Sequence, residues 1–120
     1  MCGSLVPPEY QPRKILKYPT DQRFAEDIRK FQGCPSVAVT EGGRIFLGWY
    51  SGGTKEPHIE NYNLLVKSDN GKDFGEPVLV IPSDEEKLVH ALDIQLWISP
   101  RRALYVFWVQ NNVTKSVDGV

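Results

Sequence analysis

The stretch Val37-Ala38-Val39-Thr40-Glu41-Gly42-Gly43-Arg44-Ile45-Phe46-Leu47-Gly48-Trp49-Tyr50 decides the fold class. Ser36–Thr40 and Arg44–Tyr50 are rich in Val, Ile and aromatic residues and flank Glu41-Gly42-Gly43. That is the pattern of an antiparallel hairpin closed by a short Gly-containing loop. Shifted by 59 positions (37 to 96), the pattern returns as Leu96-Trp97-Ile98-Ser99, a three-residue turn, and Ala103-Leu104-Tyr105-Val106-Phe107-Trp108-Val109. Ile45 then falls on Leu104, Phe46 on Tyr105 and Trp49 on Trp108. Any two hairpins share some alternation, but loop length and tryptophan position agree together here, which favours an internal repeat of one supersecondary unit.

Outward from these hairpins, Asn61–Lys67 and Pro77–Ile81 read as a third and a fourth strand, and Asp93–Ile98 with Ala103–Gln110 as the second hairpin. Residues 1–30 form an irregular N-terminal segment, because Pro7, Pro8, Pro12 and Pro19 break any helix. Only Lys14–Tyr18 is suited to an edge strand. Thr20 as cap and Asp21 in the first turn predict one short helix running to Lys30. Residues 31–82 make the first complete sheet, 83–92 a linker turn, and 93–120 the first half of a second sheet. Ser83 and Glu86 have capping-box spacing and predict a helical turn within that linker.

The 120 residues carry 14 Lys+Arg against 15 Asp+Glu, a net charge of −1, with 41% apolar and 24% charged residues. A globular chain follows, and no basic stripe argues for nucleic acid or an anionic membrane as partner. Ten Gly and nine Pro imply many turns and exclude a long-helix bundle. Apolar runs such as Val78–Ile81 and Ala103–Val109 fall far short of a membrane-spanning helix. Residues 1–12 lack the apolar core of a signal peptide, so the expectation is a soluble chain, cytoplasmic only by default, with its localisation left unknown. Cys2 and Cys34 with His58 and His90 show no metal-ligand spacing, so no metal and no cofactor is expected. Cys34 reads as a small buried hydrophobe. Asn112-Val113-Thr114 is a glycosylation sequon of the kind that also arises by chance.

A four-stranded sheet with two apolar faces cannot bury both alone. Val37, Val39, Ile45, Leu47, Leu64, Val66, Val78 and Val80 therefore call for a neighbouring sheet. Radial packing of such sheets is the β-propeller, of which this chain holds about one and a half blades. One and a half blades cannot close a ring, so the expectation is an N-terminal fragment of a longer propeller, or a chain whose open sheet edges are capped by self-association.

Phe31-Gln32-Gly33-Cys34-Pro35-Ser36-Val37-Ala38-Val39-Thr40 followed by Gly43–Gly53 resembles the opening blade of sialidase-like propellers. Lys67-Ser68-Asp69-Asn70-Gly71-Lys72-Asp73-Phe74 is similar to that family's Asp-box, S-x-D-x-G-x-[ST]-[WF]. Asp69, Gly71 and Phe74 match it, whereas Lys67 and Asp73 depart from it. Ala91–Trp97 with Leu104–Trp108 looks like the start of the next blade. The resemblance spans about residues 29–110 and implies an all-β protein built from antiparallel four-stranded blades of a six-bladed propeller. It also implies glycoside hydrolysis of α-linked sugars and a carbohydrate partner. Asp69, Gly71 and Phe74 would be structural: the carboxylate of Asp69 would accept turn N–H groups, Gly71 would supply a positive φ, and Phe74 would plug the turn from below.

In such propellers ligands sit where the innermost strands begin and where the loops joining second to third strands protrude, here 29–34, 51–61 and 90–95. Gly33 stands where the family has the arginine that grips a substrate carboxylate, and the loop 51–62 contains no Asp at the acid/base position. Its titratable residues are Glu56, His58 and Glu60. Most glycosidases need two carboxyl groups flanking the scissile bond, so Glu60 and Asp93 are the candidate pair, with His58 exchanging protons near neutral pH. Gln32, Tyr50, His90 and Gln95 are candidate substrate contacts, with His90 otherwise a surface or turn residue. The alternative function is a noncatalytic propeller segment that binds carbohydrate or protein.

Overall fold

Alternating apolar residues commit one side of a strand to a covered face, and the seven strands among the described residues pair accordingly. The computed structural model describes residues 6–112 and is all-β with antiparallel sheets, its only helical elements being three short 3₁₀ turns. Cys2 and two of the three sequon residues lie outside the described residues. The strands are β1 (Leu16–Lys17), β2 (Gln32–Val39), β3 (Ile45–Ser51), β4 (Tyr62–Ser68), β5 (Leu79–Ile81), β6 (Val89–Ile98) and β7 (Leu104–Asn112). One sheet has the order β1-β5-β4-β3-β2, and β6 and β7 form a second, two-stranded sheet. The first sheet thus has five strands instead of the expected four, because Leu16 and Lys17 pair with Val80 and Leu79.

The 59-residue repeat is written into the backbone. Val39 pairs with Ile45 and Ile98 with Leu104, Val37 with Leu47 and Leu96 with Val106, Gly33 with Tyr50 and Leu92 with Val109. Both ladders are interrupted by a bulge at the same place, between Gly33 and Ser36 and between Leu92 and Gln95. Each bulge holds a non-glycine residue at positive φ, Cys34 at 49° and Asp93 at 53°. The turns match as well: Thr40 N–H donates to Arg44 O at 2.9 Å, and Ser99 N–H to Ala103 O at 2.9 Å.

The hairpin β6–β7 lies on one face of the first sheet, with β6 against β2, β3 and β4. Gly48 makes that approach possible: a Cβ there would stand 3.0 Å from Ile94 Cδ1. Val89, Ala91 and Ile94 are buried in this layer. On the other face Phe24, Tyr62, Leu64 and Val80 form a core, backed by Leu16 and Trp49, with Phe24 meeting Tyr62 edge to face at 4.9 Å. Full burial of such a side chain stabilises by roughly 1.5–3 kcal/mol, which explains how a proline-broken N-terminal segment is held in place.

Several expectations are corrected. Instead of one helix to Lys30 there are two 3₁₀ turns, Gln22–Phe24 and Glu26–Ile28, separated by extended Ala25. Asp21, not Thr20, is the cap, accepting from Arg23 N–H at 2.9 Å. Burial of Phe24 fixes the chain direction before a helix can propagate. The linker shortens, because β6 begins at Val89; Asp84 accepts from Lys87 N–H at 3.0 Å, so the Ser83–Glu86 box does not form the turn. Cys34 is exposed, since the bulge turns it out of the sheet.

The loop 68–74 also differs. Asn70 Oδ1, not Asp69, accepts from Lys72 N–H (2.8 Å) and Asp73 N–H (2.9 Å), and Ser68 Oγ accepts from Gly71 N–H at 2.9 Å. Asp69 turns outward to Arg44 at 2.6 Å, and the hydrogen bond to that guanidinium, with its charge, holds the Asp69 carboxyl below its ordinary range. Gly71 has the expected positive φ of 75°. Phe74 is exposed and does not plug the turn from below.

Candidate functional site

The starts of β2 and β6, the end of β3 and the loop 52–61 converge at one end of the two sheets. The loop is built around buried Asn61. Its Nδ2 donates to Gly52 O (2.6 Å) and Lys55 O (3.2 Å), while its Oδ1 accepts from His58 N–H at 2.7 Å. Gly52 and Gly53 adopt φ of 89° and 71°. A Cβ on Gly52 would collide with the Glu60 carbonyl, and one on Gly53 would lie 2.6 Å from the His58 ring, so only glycine fits this chain path. Glu56–Pro57 is a cis peptide.

That path sets the two histidines. His58 Nδ1 accepts from Glu60 N–H at 3.1 Å and stands 3.7 Å from the Glu60 carboxylate. The His58 carbonyl accepts from Asn61 N–H (2.9 Å) and lies 3.1 Å from His90 Nδ1. A carbonyl only accepts, so His90 carries its proton on Nδ1 and keeps the Nε2 lone pair. His90 is 1% exposed, contrary to the surface or turn position expected for it, because the strand β6 that carries it starts earlier than its sequence suggests. Burial pushes its pKa below the ordinary value, against the opposing pull of the His58 carbonyl and the Asp93 carboxylate.

Asp93 and Cys34 face each other across the two bulges. Though exposed, the Cys34 thiol is pushed up, first by partial desolvation, then by the neighbouring Asp93 carboxylate and the charge of Glu56. Its Sγ lies 3.9 Å from the Tyr50 hydroxyl. Tyr50 is buried against Phe31 at 5.4 Å. In register opposite Tyr50 sits Asn63, fully buried, with neither amide atom hydrogen-bonded.

Of the residues singled out in the sequence, His58, Glu60, His90, Asp93 and Tyr50 thus belong to one contiguous cluster. Gln32 does not. It alternates with Gly33 and so faces the other side of the sheet, where its Oε1 accepts from Trp49 Nε1–H at 2.9 Å. Gln95 pairs with Phe107 on the exposed face of the hairpin, away from the cluster. Arg29, the arginine nearest the expected clamp position at Gly33, donates to Phe24 O at 3.0 Å and lies 5.7 Å above the Trp49 ring. Asn61, Asn63 and Cys34 escaped sequence reasoning as site residues; the Gly-Gly opening and Asn closing of the loop 52–61 is a signal from which Asn61 could have been found.

Beside the cluster lies a cavity of about 210 Å³ lined by Phe24, Tyr62, Gly52, Glu60, Arg23 and Glu85. The Tyr62 hydroxyl is buried without a hydrogen-bond partner. Glu60 stands between this cavity and His58, which puts a carboxylate within reach of both. Among the described residues no group of three or more His, Cys, Asp or Glu side chains is arranged to hold a metal ion. No helix among them is long and apolar enough to cross a membrane. Compared with known protein families, curated proteins and solved structures, the chain matches none.

Proposed function

We propose that the two hairpin units are consecutive blades of a sialidase-like propeller, and that the cluster at their strand starts acts on the glycosidic bond of an α-linked sugar. The observation that carries this is the duplicated bulge. Two sheets packed face to face bring Cys34 and Asp93 together at one end, beside His90 and the loop that holds His58 and Glu60.

In this reading Asp93 and Glu60 are the carboxyl pair, one assisting departure of the leaving oxygen and the other acting as nucleophile or base. His90, held neutral by burial, keeps an Nε2 lone pair to accept a proton or a sugar hydroxyl. Hydrolysis of a panel of aryl α-glycosides by the chain, with Glu60→Gln and Asp93→Asn beside it, tests the proposal. Each variant is expected to lose at least about a hundredfold in turnover, the usual worth of a positioned acid or base. Full turnover in both variants would falsify the assignment.

A second reading is a noncatalytic carbohydrate-binding segment. It is favoured by Gly33 at the clamp position and by Arg29 being committed to Phe24 O and Trp49. Saturable binding of a sugar without any hydrolysis would select it.

A further inference from the structure

Equivalent positions of the repeat have opposite exposure in the two units. In the first, Ala38 and Phe46 are half-buried and Gly48 and Tyr50 buried beneath the β6–β7 hairpin. Val37 and Val39, on the opposite face, are 59% and 57% exposed. In the second unit the pattern inverts. Leu96 and Ile98, the counterparts of Val37 and Val39, are half-buried on the side that meets the first sheet. Trp97, Tyr105, Phe107 and Val109, the counterparts of Ala38, Phe46, Gly48 and Tyr50, are 42–54% exposed.

The described residues therefore hold one completed face-to-face contact and two unmatched halves of another. The free half on the hairpin is an aromatic strip, with Trp97 and Tyr105 rings 5.4 Å apart and Tyr105 and Phe107 stacked at 6.3 Å. The free half on the first sheet is aliphatic, Val37 and Val39 bordered by half-buried Ile45 and Leu47. Contiguous apolar surface of this kind marks an interaction site. Among the described residues, the surface that covers such a face is another unit of the same repeat.

We infer that two copies of this chain dock head to tail, the Val37–Val39 face of one lying on the Trp97–Tyr105–Phe107 face of the next. The contact is heterologous, so it propagates beyond a dimer until a ring closes or a filament grows. It continues the packing already present between the two sheets, and Gln95, at the position of Ser36, offers an acceptor where Ser36 Oγ takes Leu96 N–H at 3.0 Å. Phe107 replaces Gly48, so the approach between copies is wider than that inside the chain. The docking rests on the packing of the sheets and is independent of the sugar chemistry proposed above.

Sedimentation velocity of the intact chain over a concentration series tests it, with tryptophan emission recorded in parallel. Wild type is expected to form species larger than a dimer as concentration rises, with a blue shift as Trp97 is covered. Val37→Lys and Phe107→Lys alter exposed residues, so circular dichroism should show both folded, and each should weaken association at least about tenfold. An equimolar mixture of the two retains one intact pair of faces and should stop at a dimer. A wild type that stays monomeric, a mixture that fails to pair, or association without the emission shift, as edge-to-edge strand pairing would give, overturns the inference.

Discussion

The hairpins β2–β3 and β6–β7 share register, bulge position and turn geometry, yet hardly any functional side chain is the same. The bulge holds Cys34 in one and Asp93 in the other; the turn ends on Gly43 or Arg102; the packing position is Gly48 or Phe107; the strand entrance is Phe31 or His90. Backbone pairing thus tolerates wide substitution, because alternation and turn length set it. Single positions decide instead which face a neighbour can cover and what chemistry the bulge presents. One unit contributes a thiol and a close-packing glycine, the other a carboxylate and a titratable ring.

Making the units alike should break the molecule unequally. Gly48→Phe, which gives the first hairpin the residue of the second, forces the ring into Ile94 and should cost more than about 3 kcal/mol in denaturant unfolding. The reciprocal Phe107→Gly removes an exposed ring and should cost less than about 1 kcal/mol. Equal effects would mean that the hairpin does not pack on Gly48.

The entrance position sharpens the contrast through pH. His90 has a depressed pKa in the folded chain, so below its ordinary value near 6.5 the unfolded state binds the proton first. The contribution of neutral His90 is full above that value and declines as pH falls toward the folded pKa, by at most about 1.4 kcal/mol per pH unit. His90→Phe, which copies Phe31, should flatten that part of the stability curve. A slope unchanged in the variant would place the proton uptake elsewhere.

The smallest effect is expected at the turns. Gly43 has φ 91° and Arg102 φ 64°. Gly43→Arg should lose about 1 kcal/mol, whereas Arg102→Gly should change stability by less than about 1 kcal/mol, because relief of strain is offset by a freer unfolded chain. Thermal melts of the two variants read the difference directly.

The hairpins, their common spacing and most strand positions were legible because a period of two needs only near neighbours in the chain. The helix anticipated after Thr20 was not, since the capping signal there competes with burial of Phe24 against Tyr62, a residue far along the chain. The Asp-box pattern marked the right turn but the wrong acceptor: Asn70 caps it because Asp69 finds Arg44 across the hairpin. Among site candidates, His58, Glu60, His90 and Asp93 were nameable from residue type and loop position. Gln32 and Gln95 were misplaced because the two bulges shift which strand residue faces which side.

By itself the sequence determined the antiparallel ribbons, their turns and the repeat, all of which follow from local alternation and glycine placement. Tertiary structure alone decided which face of each ribbon is covered, that Cys34 stands beside Asp93, and that His90 is buried. Those outcomes depend on how two sheets meet, and such a meeting is a sum over residues about 59 positions apart that no local pattern encodes.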